Sequence, residues 1–146
     1  MLDYIQELFP NVSEFSGKVI QGRKIGRTIG FPTANIMIDQ KVSFTKGVYG
    51  VQICVKDQTY YGIMNIGNRP SFQKNDNELS CEVHIFNFNE SIYTEEVEVT
   101  VYFFVREEKA FSSIDDLVIQ IKKDIKKVKD QFARVYSPLN MVLQYG

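Results

Sequence analysis

Tryptophan is absent from this chain of 146 residues, cysteine occurs twice, histidine once and proline four times. Each scarcity excludes something. Cys54 and Cys81 lie far apart, with no CxxC pair and no cysteine–histidine cluster, so neither a disulfide scaffold nor a structural zinc site is expected. Each sits in an apolar, strand-like run, where a free thiol acts as a small hydrophobe. No run of about 18 apolar residues occurs, and no charged leader precedes an apolar segment, so neither a membrane span nor a secretory signal is expected. A cytoplasmic chain is the reading that follows. The charges nearly cancel, with 17 Lys and Arg against 18 Asp and Glu, giving a net charge of -1. A general nucleic-acid binder would carry a basic excess, so nucleic acid is not an expected partner. Any phosphate must be met by local charge.

What is present is ordinary in bulk. Hydrophobic residues make up 44% and charged residues 24%, enough for one domain that buries about two-thirds of its unfolded surface. Six stretches read as strands: Gly17 to Gln21, Phe31 to Ile38, Tyr49 to Val55, Thr59 to Ile66, Ser80 to Phe88 and Glu95 to Val105. Val51, Ile53 and Val55 alternate with polar residues, and Asp57-Gln58 is short enough to turn a hairpin. Val97, Val99, Val101, Phe103 and Val105 give a second alternating face. Closing such strands into a barrel would leave no exposed edge.

The last element has a different period. Ile114, Leu117, Val118, Ile121, Ile125, Val128 and Phe132 recur at three- and four-residue steps, the mark of an amphipathic helix. Ser112 and Ser113 stand where a cap belongs, and Ser137-Pro138 suggests the end. Lys122, Lys123, Lys126, Lys127 and Lys129, interleaved with Asp124 and Asp130, read as a solvated outer face. At the other end, Leu2, Ile5, Leu8 and Phe9 before Pro10 suggest a short helix. Residues 1–16 are taken as an N-terminal extension, and residues 17–146 as the domain proper. The single apolar stripe is what the barrel itself should cover, so a monomer is expected.

One stretch departs from ordinary composition: Gly22-Arg23-Lys24-Ile25-Gly26-Arg27-Thr28-Ile29-Gly30-Phe31-Pro32-Thr33-Ala34-Asn35. Glycines at four-residue spacing with cations beside them suit a backbone that bends around a polyphosphate. The spacing matches neither the Walker nor the dinucleotide pattern, and a glycine-rich hairpin with solvated arginines would read the same way. If the chain is extended after Pro32, Thr33 and Asn35 point to one face. A hydroxyl and an amide carbonyl are hard oxygen donors suited to Mg²⁺.

The motif Gly17-x-Val19-x-x-Gly22, followed by Gly26-Arg27-x-x-Gly30-Phe31-Pro32-Thr33-Ala34-Asn35, resembles the opening of the riboflavin kinase family, whose signature is Pro-Thr-Ala-Asn. The likeness continues in family order through Gly47-Val48-Tyr49, Asn65-Ile66-Gly67, Glu82-Val83-His84-Ile85, Ile92-Tyr93 and Arg106-Glu107-Glu108-Lys109-x-Phe111. It spans Gly17 to Phe132. The resemblance implies a six-stranded antiparallel Greek-key β-barrel with a long C-terminal α-helix. It also implies transfer of the ATP γ-phosphate to the riboflavin 5′-hydroxyl, giving FMN and ADP. Glu82 would be the catalytic base. Thr33 and Asn35 would hold Mg²⁺, with Mn²⁺ or Zn²⁺ as substitutes, and would meet ATP together with Gly22, Lys24, Gly26, Arg27, Gly30 and Pro32. Arg106 and Phe111 would lie at the flavin end.

The rest is weighed around that frame. Gly22 to Gly30 and Gly67 to Leu79 are candidate lids. His84 is expected to be a hydrogen-bonded structural residue rather than the base. Phe86-Asn87-Phe88, Tyr93-Thr94 and Arg69-Pro70-Ser71 depart from the family pattern without removing Thr33, Asn35 or Glu82. A regulatory module that binds flavin or nucleotide on the same fold is the alternative, and retention of all three residues favours the enzyme. A barrel for single-stranded nucleic acid would need a basic, aromatic groove that the charge balance speaks against.

Overall fold

Six antiparallel strands close on themselves in the order β1-β2-β5-β4-β3-β6. They are β1 (Ser13–Ile20), β2 (Ala34–Ile38), β3 (Gly47–Val55), β4 (Gln58–Asn68), β5 (Leu79–Ile85) and β6 (Glu96–Glu107), followed by one helix, α1 (Ile114–Tyr145). This computed structural model describes residues 7–21, 29–39, 42–68 and 79–145, with side chains as far as residue 134. Within the order, β2-β5-β4-β3 is a Greek key, because β3, β4 and β5 are sequential neighbours and β2 returns beside β5. Pairing of β1 with β6 closes the barrel, so no strand is left with an open edge.

The alternation seen in the sequence fills the interior. Val51 and Ile53 of β3, Met64 and Ile66 of β4, Val83 of β5 and Val99 of β6 all point inward and are fully buried. The outer face is apolar where α1 covers it. Val48, Ile63, Phe86, Tyr102 and Val105 pack there against Val128 and Phe132, with Phe9 from the N-terminal segment. Phe9 thus belongs to a core, and β1 begins at Ser13 rather than Gly17, with Phe15 already inside the barrel.

β6 does not keep one face throughout. Against β3 its register shifts twice, where Gly50 pairs with Phe103 and Val51 with Val101, and again where Val48 pairs with Arg106 and Tyr49 with Phe104. Tyr102 and Val105 are the extra residues, and a bulge of this kind reverses the side chains beyond it. Val97, Val99 and Val101 therefore face inward as expected, whereas Phe103 and Val105 join the outer cluster. Gly50 is what lets Phe103 lie flat: a Cβ there would fall within 2.6 Å of the Cε1 of that ring.

Other boundaries moved for local reasons. The β3–β4 hairpin turns at Lys56-Asp57, with φ of 51° and 62°, the pair of left-handed residues that a tight hairpin of matching twist requires. This places the turn one residue before the expected Asp57-Gln58. β5 ends at Ile85 because Asn87 adopts φ 55°, and Phe88 then packs on Tyr60 against the interior cluster instead of continuing the strand.

Helix α1 starts as its serines suggest. Ser113 Oγ accepts the backbone N–H of Asp116 at 3.1 Å, and Ser112 Oγ donates to the Asp116 carboxylate at 3.0 Å. Such a cap is worth about 1 kcal/mol. The helix runs through Pro138 to Tyr145 instead of ending there; a proline removes one ladder bond, and the turns on either side still close. Its stripe is narrower than the periodicity suggests, since Ile114 is 66% exposed. The short helix expected near the start lies mostly in residues 1–6, outside the described residues.

Cys81 and Cys54 have different fates. Cys81 points into the barrel, and burial, reinforced by the charge of Glu82, pushes its thiol up to about 12; Cys54 is half-buried. The folded chain at pH 8 should therefore react with a thiol reagent at Cys54 while Cys81 stays protected. A pKa three units higher leaves about 10³-fold less thiolate. Both should react once the chain is unfolded, and equal native rates, read by mass spectrometry, would contradict the closed barrel.

Candidate active site

Register, more than sequence distance, brings the candidate residues together. Asn35 of β2 sits directly opposite Glu82 of β5, and Glu82 sits opposite Asn65 of β4. Asn65 in turn faces Val48 of β3, and Val48 faces Arg106 of β6. Directly paired residues share one face of a sheet, with Cβ atoms about 5 Å apart. The neighbours of Glu82, Cys81 and Val83, point inward, so this belt lies on the outer wall. Glu82 is half-buried there, with an amide side chain on each flank. Thr33, just before β2, has the same parity as Asn35.

The turn into β2 is pinned to β5. Gly30 adopts φ 91°, a conformation that a residue without a Cβ takes freely. Two residues on, the Pro32 carbonyl accepts a hydrogen bond from Nδ1 of His84 at 2.8 Å. A carbonyl can only accept, so Nδ1 carries the proton. The Phe31 ring meets the His84 ring edge-on, 5.8 Å between centroids. His84 is therefore hydrogen-bonded through Nδ1, and what it holds is the Pro-Thr-Ala-Asn turn beside Glu82.

A cleft of about 320 Å³ opens between that turn and α1, lined by Gly30, Phe31, His84, Phe86, Lys122 and Lys129 among others. Lys129 places its ammonium 5.1 Å from the centroid of Phe86. Aromatic walls with two cations can receive a planar or anionic group.

At the far end of the belt the guanidinium of Arg106 lies 5.7 Å from the centroid of Phe111, and Lys109 approaches the same ring at 5.6 Å. Arg106 is fixed by Asp124 of α1, the residue whose role the sequence hid. Asp124 is 4% exposed, not part of a solvated face, and its carboxylate accepts Arg106 Nε at 3.1 and 3.0 Å, with Nη2 at 2.9 Å. Asn65 was likewise visible only as part of a motif, and its place beside Glu82 follows from the β4–β5 register.

The structure thus sets Asn35 beside Glu82 on adjacent strands, with Thr33 just ahead of Asn35 and Gly30 and Pro32 in the turn that leads to it; Arg106, with Phe111 near its guanidinium, lies three strands from Glu82 along the belt. Gly22, Lys24, Gly26 and Arg27 lie outside the described residues, as do most of both candidate lids. Among the described residues there is no group of three or more His, Cys, Asp or Glu that could hold a metal. The donor set of Thr33 and Asn35, two neutral oxygens, instead fits an Mg²⁺ ion whose shell is completed by phosphate and water.

Comparison with known proteins speaks to the family and the fold. The family model described as "Flavokinase: Riboflavin kinase" matches residues 10–132. A bifunctional riboflavin kinase/FMN adenylyltransferase of Buchnera aphidicola subsp. Schizaphis graminum is 42% identical over 132 residues, covering 90% of this chain and 42% of its own length. An RNA-binding riboflavin kinase of Bacillus subtilis, RibR, is 42% identical over 118 residues, covering 80% of this chain and 50% of its own. This chain therefore spans half or less of the length of either relative. The crystal structure of riboflavin kinase from Trypanosoma brucei superposes with a TM-score of 0.59 at 24% identity, over 82% of this chain and 78% of that one. At that identity the likeness speaks to the fold.

Proposed function

We propose that this chain, which belongs to the riboflavin kinase family, transfers the γ-phosphate of ATP to the 5′-hydroxyl of riboflavin, giving FMN and ADP. The observation that carries the reading is the belt, in which Glu82 lies between Asn35 and Asn65 and ends at Arg106. A phosphoryl transfer asks little covalent chemistry of the protein; it asks for two substrates in line, neutralised charge and an acceptor for one proton. The belt offers a carboxylate as the acceptor, amides on either side of it and a cation at its end. Glu82 accepts the proton of the 5′-hydroxyl as that oxygen bonds to phosphorus, and the bond from phosphorus to the β,γ-bridging oxygen breaks, leaving ADP.

In this reading the nucleotide lies on the Asn35 side and the flavin on the Arg106 side. Thr33 and Asn35 would hold Mg²⁺ and meet the terminal phosphates, while Lys122 and Lys129 add positive charge along the cleft. The bound ion would supply charge neutralisation at the transferring group. The chain acts as a monomer on small molecules in the cytoplasm. Its nearly balanced charge supports the absence of a nucleic-acid partner, and no helix among the described residues is long and apolar enough to cross a membrane.

The test is conversion of riboflavin to FMN by the purified chain with Mg²⁺-ATP, followed by chromatography. Turnover is expected, and Thr33→Ala and Asn35→Ala should each lower kcat/KM for Mg²⁺-ATP by about 10²-fold, the usual loss for one electrostatic contact to a transition state. Tight flavin or nucleotide binding without turnover would replace the enzyme by a regulatory binding module.

A further inference from the structure

Asp124 is the one charged side chain among the described residues that is buried. Burying a carboxylate is costly unless its oxygens are satisfied, and both oxygens of Asp124 are. Oδ2 takes Nε and Nη2 of Arg106, while Oδ1 takes Nε of Arg106 and, at 2.9 Å, Nε2 of Gln120 one turn earlier in α1. Nη1 of Arg106 donates to the carbonyl of Glu107 at 3.0 Å. Three of the five guanidinium N–H groups are thereby committed, and two remain to meet another partner. The guanidinium so held has its Cζ 5.7 Å from the centroid of the Phe111 ring.

We infer that Asp124 is a positioning residue for flavin: it holds Arg106 in the single orientation that presents the two remaining N–H donors beside Phe111, at the end of the Glu82 belt. This rests on the kinase reading above. A helix could be anchored to a barrel by apolar contacts alone, and Val128 and Phe132 already do that from the next two turns. A buried, bidentate pair adds direction instead, because a planar fork held side-on through Nε and Nη2 cannot turn without breaking both contacts. Flavin carries carbonyl acceptors on the rim of a flat ring, and a fixed guanidinium beside an aromatic side chain matches both features.

The inference separates Asp124 from a purely structural ion pair. With the full chain, Asp124→Asn and the charge-conserving Asp124→Glu should each raise the Kd and KM for riboflavin by about tenfold, while the KM for Mg²⁺-ATP stays within about twofold. Adding Asp124→Asn to Arg106→Gln should produce little further loss, since the carboxylate acts through that guanidinium. In ¹⁵N NMR the Arg106 Nε–H should exchange slowly with solvent in the wild type and fast in Asp124→Asn, whether or not flavin binds. Fast exchange in the wild type would overturn the positioning role directly. An unchanged riboflavin Kd in folded Asp124→Glu would do the same, as would riboflavin and ATP constants worsening together with Tm. A wild type that neither binds nor converts riboflavin would instead bring down the kinase reading and the flavin assignment with it, leaving the NMR result to report on the Arg106–Asp124 pair alone.

Discussion

Glu82→Gln should lower kcat for FMN formation by about 10²- to 10⁴-fold, the range that a positioned general base supplies, while the affinity for riboflavin changes little. Glutamine keeps the size of the side chain and its ability to hydrogen-bond, so the flanking amides of Asn35 and Asn65 still meet a polar neighbour. Only the capacity to take up a proton is removed. The fold should not respond, because Glu82 lies on the outer face while Cys81 and Val83 on either side carry the packing of β5 inside the barrel. Steady-state kinetics at saturating Mg²⁺-ATP, beside a riboflavin titration followed by flavin fluorescence, would read both quantities. Undiminished turnover would remove Glu82 from the mechanism. A parallel loss of riboflavin affinity would recast it as a binding residue.

How this site could be seen in the sequence depends on which physical signal each residue leaves. Strands that keep one buried face, such as β3 with Val51, Ile53 and Val55, announce themselves by alternation. β6 announces itself too, but its two bulges do not, because Tyr102 and Val105 are good strand residues on either face; only the β3 partner reveals that two residues are extra. Those bulges decide where Arg106 points. Periodicity also placed Asp124 among lysines, and in a helix a buried acid looks like an exposed one until its partner on another element is known. The alignment of Glu82 between two asparagines depends on strand neighbours separated by long connections, which local pattern does not encode.

Motif resemblance filled part of that gap. It singled out Thr33, Asn35, Glu82, Arg106 and Phe111, and the barrel carries Asn35, Glu82 and Arg106 on the outer face of β2, β5 and β6, with Thr33 just before β2 and Phe111 beyond β6. It passed over Asn65 as part of a glycine motif, and it left out Phe9, which falls before the first matching residue. Phe9 is a useful correction because a short apolar segment before a proline carries no sign of what it packs on. Here that is the seam between barrel and helix.

The same seam supports the second large prediction: Phe132→Ala should destabilise the chain by about 3–5 kcal/mol. Phe132 is 4% exposed, and its ring lies 4.5 Å from that of Tyr61, 5.3 Å from Tyr102, 5.4 Å from Phe103 and 6.1 Å from Phe9, centroid to centroid. Three strand residues and the N-terminal segment therefore converge on one side chain of α1, and truncating it leaves a cavity that rigid strands cannot collapse to fill. For a domain of this size the loss corresponds to a fall in Tm of about 6–20 °C. Ile119→Ser on the same helix is the control, since Ile119 is 52% exposed and should cost no more than about 0.5 kcal/mol. Thermal melts of the two variants would check the difference. The consequence reaches the active site, because α1 also carries Asp124 and the cleft lysines: Phe132→Ala assayed below its Tm should lose riboflavin affinity before it loses secondary structure. A melt unchanged from wild type would mean that α1 does not rest on the barrel through this ring, and the route from helix to Arg106 would have to run elsewhere.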